Sequence, residues 1–358
     1  MNPLRLSTPF LLSVALGSAS AFTVTVAAQS APTAKPAKSW PRGTAPGSNP
    51  IVRDVYTADP APLTVGDRLY LYAGRDEAKG KQGYTMNEWL AYSTTDMKHW
   101  TNHGAIMRPT DFKWAAGEAW ASQMVHKNGK FYFYVSLEHD KTHPGKAIGV
   151  AIGKSPLGPF TDARGSALVT DNKATWRSWS DIDPTVFTDD DGTSWLAWGN
   201  SNFYLARLKP NMVEIDGDIR EIKLPYYVEG PWLHKRGDIY YLTYASIDEP
   251  SQKNERISYA TARDVTGPWT YRGELTGEAT NSFTIHAGIE RFKDKWYFFY
   301  HDGTLDIADQ KGGEYRRSVA VEQLEYGPDG AIRPIVQTRE GVSLLPGRSG
   351  TPTVTASK

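Results

Sequence analysis

The chain has 358 residues, enough for one large core, and no cysteine, which excludes a disulfide framework and thiolate metal sites. Its 40 basic and 40 acidic residues cancel, so no overall field favours binding to nucleic acid or to an anionic membrane. The 12 Trp and 19 Tyr residues suit strand packing and also the apolar faces of sugar rings, and this composition fits a carbohydrate partner.

The first 28 residues have the pattern of an export signal. A short basic start at Arg5 precedes a run of apolar and small residues, and the sequence VAA at residues 26–28 is an acceptable cleavage site. Gly, Ser and Thr interrupt the run, which argues against a membrane anchor. Residues 29–48 have the composition of a disordered linker, and residues 343–358 that of a C-terminal tail. We therefore expect a periplasmic or secreted protein with a single folded domain at residues 49–342.

One pattern returns five times between these ends. An apolar strand, a turn rich in Gly, Asp, Asn or Lys, and an aromatic strand form a hairpin, and a third strand follows it. The aromatic strands read LYLYAG from Leu69, FYFYVS from Phe131, SWLAWG from Ser194, YYLTYAS from Tyr240 and WYFFYHDG from Trp296. Repeats of roughly 45 to 65 residues are in the range of propeller blades. The sequence predicts an all-β protein with a five-bladed β-propeller, and a β-sandwich is the alternative.

The starts of the five innermost strands are expected to meet at the propeller axis. These positions hold Asp59, Ala121, Asp183, Glu229 and His286. Pro follows both aspartates directly and follows the glutamate after one Gly, and its fixed φ can hold each carboxylate in place. Buried carboxylates are costly unless they are paired or used. Three carboxylates that converge in a chain without a thiol suit either metal-assisted hydrolysis or acid and base catalysis on an acetal.

Four segments carry a resemblance to a known family, and they read TADPAP, SDIDPTVF, VEGPWL and GGEYRRSVAVEQLEY. They look like those of glycoside hydrolase family 43, the five-bladed propellers that trim xylan and arabinan. The resemblance implies an inverting single displacement in which Asp59 is the general base and Glu229 the general acid. It implies that Asp183 raises the pKa of the acid and orients it. In an inverting pair the base and the acid stand roughly 6.5 to 9.5 Å apart.

The same resemblance implies a role for His286. It matches an axial histidine that lies near a calcium ion with a mostly aqueous shell, so calcium is the expected cofactor. Ile285 and Ala287 stand where the family commonly has Asn and Pro. A structural histidine in the channel remains the alternative, because calcium normally takes oxygen ligands.

Two pairs of residues are candidates for contact with the sugar. Arg316 or Arg317 matches the family's arginine that bonds the terminal sugar, and Arg316 is favoured. Trp114 and Trp120 flank the entrance of the second blade and are candidates for stacking on sugar faces, with blade packing as the alternative. Asp181 is expected to be a hydrogen-bonding or solvated neighbour of the site.

The predicted function is that of an exported exo-glycosidase acting on a short pentose oligosaccharide, a β-xylosidase with α-L-arabinofuranosidase activity. The insertions at residues 75–88 and 108–118 favour a closed pocket over the open groove of an endo-1,5-α-L-arabinanase. A non-catalytic sugar-binding propeller is the alternative from another class, and the intact acidic trio argues against it. We expect no nucleic-acid partner, and no membrane partner after cleavage of the signal; the sequence leaves the oligomeric state open.

Overall fold

The computed structural model describes residues 45–170, 179–249 and 252–344, which form five β-sheets. These residues include one short 3-10 helix, Pro109–Asp111, and no α-helix. None of their helical segments is long and apolar enough to cross a membrane. The predicted signal, most of the predicted linker and nearly all of the predicted tail lie outside the described residues.

Blades one and two are antiparallel sheets. The strands of blade one follow chain order and are β1 (Tyr56–Val65), β2 (Arg68–Asp76), β3 (Trp89–Thr94) and β4 (Thr101–Met107). The strands of blade two are β5 (Ala115–Gly117), β6 (Ser122–Lys127), β7 (Lys130–His139), β8 (Lys146–Gly153) and β9 (Thr161–Asp162). In blade two, β5 and β6 pair with different parts of β7.

Blades three to five complete the series. The strands of blade three are β10 (Thr185–Thr188), β11 (Ser194–Trp198), β12 (Phe203–Leu208) and β13 (Ile215–Ile222). Those of blade four are β14 (Tyr227–Arg236), β15 (Ile239–Ser246), β16 (Arg256–Ala262) and β17 (Thr270–Thr276). Those of blade five are β18 (Gly288–Phe292), β19 (Lys295–Asp302) and β20 (Ser318–Leu324).

The innermost strands β1, β6, β10, β14 and β18 contact one another in turn, and β18 returns to β1. The protein is therefore a five-bladed β-propeller, as predicted, and the sandwich alternative is wrong. The predicted aromatic strands are the second strands β2, β7, β11, β15 and β19. Their side chains pack between blades; for example, the ring centroids of Tyr72 and Phe133 are 5.8 Å apart across the first two blades. Such aromatic contacts join rigid sheets, which keeps the inner strands at fixed positions.

Residues before β1 close the ring on the free edge of β20. The side chain of Asn49 donates to the carbonyl of Val321 over 3.2 Å and accepts from its N–H over 2.9 Å. The N–H of Val342 donates to the carbonyl of Gly47 over 2.9 Å. Ser48 is buried beside them. Gly47 and Ser48 were predicted as the end of the disordered linker, but these hydrogen bonds make them part of the fold.

Candidate active site

A cavity of about 210 Å³ opens at the axis, on the face where the inner strands begin. All five positions that were predicted to converge line this cavity, namely Asp59, Ala121, Asp183, Glu229 and His286. Other residues of the wall are Tyr84, Trp120, Trp179, Asn200, Phe283 and Arg317. The wall thus combines charged side chains with aromatic ones, as sites that bind small molecules do.

The two aspartates share an unusual backbone conformation. The φ of Asp59 is 55° and that of Asp183 is 59°, in the left-handed region that Asp tolerates better than most residues. In β1 the register shifts between Ala58 and Ala61, so the aspartate lies in a bulge. Bulges re-aim side chains near active sites, and left-handed residues cost of order 1–3 kcal/mol. The backbone strain therefore occurs at the two residues whose carboxylates are directed to the axis.

Blade four uses glycine at the equivalent backbone position. Gly230 has a φ of +58°, and Glu229 stands one residue earlier. A Cβ atom on Gly230 would lie 2.8 Å from Cδ2 of His286, which is too close for any side chain. The glycine therefore lets the His286 ring approach the backbone beside Glu229. This close approach explains why blade four has Glu-Gly-Pro where blades one and three have Asp-Pro.

His286 lies between the predicted base and the predicted acid. Its Nδ1 is 3.1 Å from Oδ1 of Asp59, and its Nε2 is 3.1 Å from Oε1 of Glu229. Asp183 is farther away, with Oδ2 at 3.9 Å from Nε2. Burial favours the neutral ring, but the charge of Asp59 and then that of Asp183 outweigh it and raise the pKa of His286 well above its usual value. A charged ring donates at both nitrogens and holds the two carboxylates apart.

Asp59 is kept ionised by the cations around it. Burial on its own would raise the pKa of Asp59, but the charges of Arg317 and then of His286 outweigh it and lower this pKa well below its usual value. Nη1 of Arg317 is 3.3 Å from Oδ1 of Asp59. Asp76 fixes the guanidinium from behind, with Oδ2 at 2.9 Å from Nε and Oδ1 at 3.0 Å from Nη2. A general base must be unprotonated before the reaction, and Asp59 meets this condition.

Asp183 differs from Asp59 because its neighbours are mainly carboxylates. Burial and then the charges of Glu229 and Asp59 raise the pKa of Asp183 to about 8, although His286 opposes them. Its Oδ2 accepts from the N–H of Gly230 over 3.0 Å. Asp183 is buried beside other carboxylates, so it keeps its own proton at neutral pH.

The arginine that enters the cavity is Arg317, and the prediction that favoured Arg316 is wrong. Arg317 is buried and lines the cavity. Arg316 is only half-buried, and its Nε donates to the carbonyl of Lys311 over 2.6 Å. Successive residues of an extended chain point to opposite sides, so only one of the two faces the axis.

Arg317→Lys is expected to lower kcat/KM on a pentoside by about a hundredfold, because lysine keeps the charge but not the fork that binds Asp76 and Asp59 together. The matched change Arg316→Lys should leave kcat/KM within about twofold, as is usual for surface substitutions. Steady-state kinetics of both variants on one substrate test the assignment. Equal losses in the two variants would contradict it.

The two predicted tryptophans have different surroundings. Trp114 is buried in the blade, where its Nε1 donates to Oδ2 of Asp162 over 3.1 Å and its ring contacts Phe112 at 5.7 Å. It does not line the cavity, so its predicted contact with sugar is wrong and the packing alternative is correct. Trp120 does line the cavity, and its ring centroid is 5.2 Å from that of Trp179. Trp179 is 51% exposed at the mouth.

Sequence reasoning missed several residues of the site. Asn200 donates from Nδ2 to Oε2 of Glu229 over 2.6 Å, and a polar residue two positions after the aromatic strand β11 was the available signal. Tyr84 comes from the insertion at residues 75–88, which helps to enclose the cavity as predicted. The insertion at residues 108–118 instead supplies packing residues of blade two. Asp181 accepts from Nε1 of Trp198 over 3.0 Å and is a buried hydrogen-bonding residue outside the cavity.

A calcium ion held directly by His286 does not fit this arrangement. Both ring nitrogens contact carboxylates, so neither offers a lone pair to a metal. Within the described ranges, Asp183, Glu229 and His286 place one ligand atom each within 4.8 Å of one another. Two carboxylates and an imidazole supply few of the about six to eight oxygens that calcium takes. Calcium elsewhere in the channel stays a prediction.

A family model and several known sequences match most of this chain. The family model described as "Glycosyl hydrolases family 43" matches residues 48–332. An arabinoxylan arabinofuranohydrolase of Bacillus subtilis (strain 168) is 30% identical over 344 residues, which covers 83% of this chain. The chain spans 66% of that relative's length. A xylosidase/arabinosidase 43A of Humicola insolens is 27% identical, and the match covers 79% of this chain and 98% of the relative.

Comparison with solved structures supports the same relationship. A β-xylosidase/α-arabinofuranosidase from a compost microbial metagenome was solved in complex with xylotriose, in a calcium-free form. It superposes with a TM-score of 0.71 at 26% sequence identity, covering 81% of this chain and 98% of the other. Its designation as calcium-free associates calcium with a protein of this fold.

Proposed function

The chain belongs to glycosyl hydrolases family 43, and from this premise we propose an exported exo-glycosidase that releases the terminal pentose of xylo- or arabino-oligosaccharides. We assign it as a β-xylosidase with α-L-arabinofuranosidase activity. It is a glycoside hydrolase, and its family inverts the anomeric configuration, so water displaces the leaving group in one step. The proposal of export is tested by N-terminal sequencing of the mature protein.

The arrangement of the acids around a small cavity carries this proposal. Asp59 and Glu229 stand on opposite sides of the His286 ring, each at 3.1 Å from a ring nitrogen. Their separation is at most two hydrogen bonds and the width of one ring, a length compatible with an inverting pair. A cavity of about 210 Å³ is smaller than the pockets that hold drug-sized ligands. It suits a single terminal sugar rather than an internal segment of a chain.

We assign one task to each residue of the site. Ionised Asp59 takes a proton from water as the water oxygen bonds to the anomeric carbon. Glu229 gives a proton to the glycosidic oxygen as the bond from that oxygen to the anomeric carbon breaks. Asp183 keeps its proton beside Glu229 before the reaction, and Arg317 holds Asp59 in place, because its N–H groups contact Asp59, Asp76 and Thr284. Each step uses residues of this chain, and none is routed through calcium.

The names of relatives support pentose as the substrate. The Bacillus subtilis relative is named for removing arabinofuranose from arabinoxylan, and the Humicola insolens relative for xylose and arabinose. The metagenome enzyme was solved with xylotriose. Xylopyranose and arabinofuranose present similarly placed hydroxyl groups, so one pocket can accept both.

A second candidate is removal of arabinofuranose side groups from a xylan chain. The rim of the cavity favours it, because Trp179 is 51% and Phe283 is 37% exposed beside the mouth. Exposed aromatic rings are costly to leave in water and offer stacking surfaces to further sugars. Release of arabinose from arabinoxylan, with little xylose from xylobiose, would favour this candidate over the first.

Hydrolysis of a small panel tests the proposed function. Nitrophenyl β-xyloside and nitrophenyl α-L-arabinofuranoside should both be cleaved, and xylobiose should give xylose. Proton NMR during the reaction should show the inverted anomer first. Excess chelator is the control for the predicted calcium: turnover should persist if Asp59 and Glu229 carry the proton transfers, whereas complete loss would indicate a metal-dependent hydrolase. Binding of xylose without release from any member of the panel would contradict the proposal and would support a sugar-binding propeller.

A further inference from the structure

Glu255 is a buried carboxyl group that none of the steps above uses. It directly precedes β16, and it is 0% exposed. It is absent from the cavity wall, so it does not touch a substrate there. A carboxyl group withdrawn completely from water needs a reason, because its burial is costly.

The contacts of Glu255 are to one short segment of blade five. Its backbone N–H donates to the carbonyl of Phe283 over 2.9 Å. Its Oε2 accepts from the N–H of Ile285 over 3.2 Å. The segment at residues 283–286 carries three residues of the cavity wall, which are Phe283, Thr284 and His286. Glu255 therefore attaches a wall segment of blade five to blade four, directly before the histidine that separates Asp59 from Glu229.

The surroundings of Glu255 favour its uncharged form. No cation forms a salt bridge with it in the described ranges, and the adjacent Arg256 pairs instead with Glu274 over 2.9 Å. Its Oε1 is buried without a hydrogen-bond partner among the described residues. Burial and then the charge of Glu229 raise its pKa well above the usual value, with His286 opposing and Asp183 adding to the rise. An ionised Glu255 would add an unpaired charge to a crowded acidic site.

We propose that Glu255 is a positioning residue that acts in its uncharged form and holds His286 between the base and the acid through the N–H of Ile285. This inference rests on the proposed function for its catalytic meaning. It adds a fourth carboxyl group to the site, one that works through the backbone and not on the substrate. The uncharged state lets it lie near Glu229 and Asp183 without repelling their charges.

Two substitutions separate the hydrogen bond from the charge. Glu255→Gln keeps the oxygen that accepts from Ile285 and is always uncharged, so it should retain kcat within about threefold and keep the pH profile. Glu255→Met has similar length and no acceptor, so it should lower kcat by about 10- to 100-fold, the loss expected when a catalytic group is misplaced. KM should change less than kcat, because Glu255 does not contact the sugar. Circular dichroism checks that both variants fold.

The His286 ring provides a readout that does not depend on activity. In protein with labelled histidine rings, the His286 signal is identified by its loss in His286→Asn. We expect the signal and its titration to be unchanged in Glu255→Gln and shifted in Glu255→Met. An unmoved signal in a folded Glu255→Met would overturn the proposal, as would a loss of kcat in Glu255→Gln equal to that in Glu255→Met. If Glu255→Met does not fold, Glu255→Gln decides, because an altered His286 titration or pH profile shows that the charged form is needed. If no pentoside is hydrolysed, the NMR test of Glu255 can still be carried out. Failure of the proposed function and failure of the Glu255 proposal are therefore distinguishable.

Discussion

Replacing Glu229 with glutamine is expected to lower kcat on xylobiose by about a thousandfold, within the contribution of a general acid. Glutamine keeps the size of the side chain and can still contact Asn200 and His286, but it has no proton to give to the leaving oxygen. An aryl pentoside with a strongly acidic leaving group departs without protonation, so its loss should be about tenfold or less. Measuring kcat on aryl pentosides whose leaving groups span a range of pKa values tests this. The variant should depend much more steeply on the leaving group than the parent enzyme.

Asp181→Asn is the matched control for this experiment. Asp181 is also a buried acid near the axis, but it accepts from Nε1 of Trp198 over 3.0 Å and does not line the cavity. Asparagine keeps an accepting oxygen, so kcat should stay within about twofold on every substrate. If Glu229→Gln lost the same factor on activated and unactivated pentosides, Glu229 would not be the acid.

The fold could be predicted from the sequence because its signals are local. The turn between the first two strands of each blade is rich in turn-forming residues, for example Gly192 in blade three. The aromatic strands that follow these turns recur at the spacing expected of propeller blades. The acids were also visible, because Asp59 and Asp183 each precede a proline at the same place in the repeat. Their left-handed backbone conformation is a departure from ordinary strand geometry at a functional site. Because each repeat forms one blade, residues at the same place in different repeats lie at equivalent positions around one axis.

The wrong or missed assignments concern side chains whose position depends on a shift of one residue or on packing between blades. Arg316 and Arg317 differ by one step, and a shift of one residue in extended chain moves a side chain to the opposite side. Trp114 and Trp120 both lie near the start of blade two, yet only Trp120 reaches the cavity. Glu255 lies on no innermost strand, and its proposed role depends on contacts with blade five that the sequence of blade four does not reveal.

The division of labour between the acids follows from their surroundings and not from their residue type. Asp59 faces two cations, Arg317 and His286, and is therefore ionised. Asp183 is chemically identical but faces Glu229 and Asp59, and it keeps a proton up to a pKa of about 8. Environments that push the pKa values of two carboxyl groups apart keep one group ionised, as a base requires, while the other stays protonated. The sequence shows two Asp-Pro pairs, and only the structure distinguishes their charges.

Asp59→Asn is expected to lower kcat by about a thousandfold or more on every pentoside, whatever its leaving group. Attack by water needs the base in all cases, so an activated aryl group cannot compensate. The change also removes the carboxylate at 3.1 Å from Nδ1 of His286, and because that charge raises the pKa of His286, this pKa should fall. Kinetics on the same aryl series should give a uniform loss, in contrast to the steep series of Glu229→Gln.

Azide separates loss of the base from disruption of the site. Azide is a nucleophile that needs no deprotonation, so it should restore turnover of an activated substrate in Asp59→Ala, where the smaller side chain leaves room for it. The product should be a glycosyl azide of inverted configuration, because azide enters from the side that water uses. Arg317 and His286, which face the missing carboxylate, should favour binding of the anion there. Restoration in Glu229→Gln but not in Asp59→Ala would reverse the assignment of base and acid.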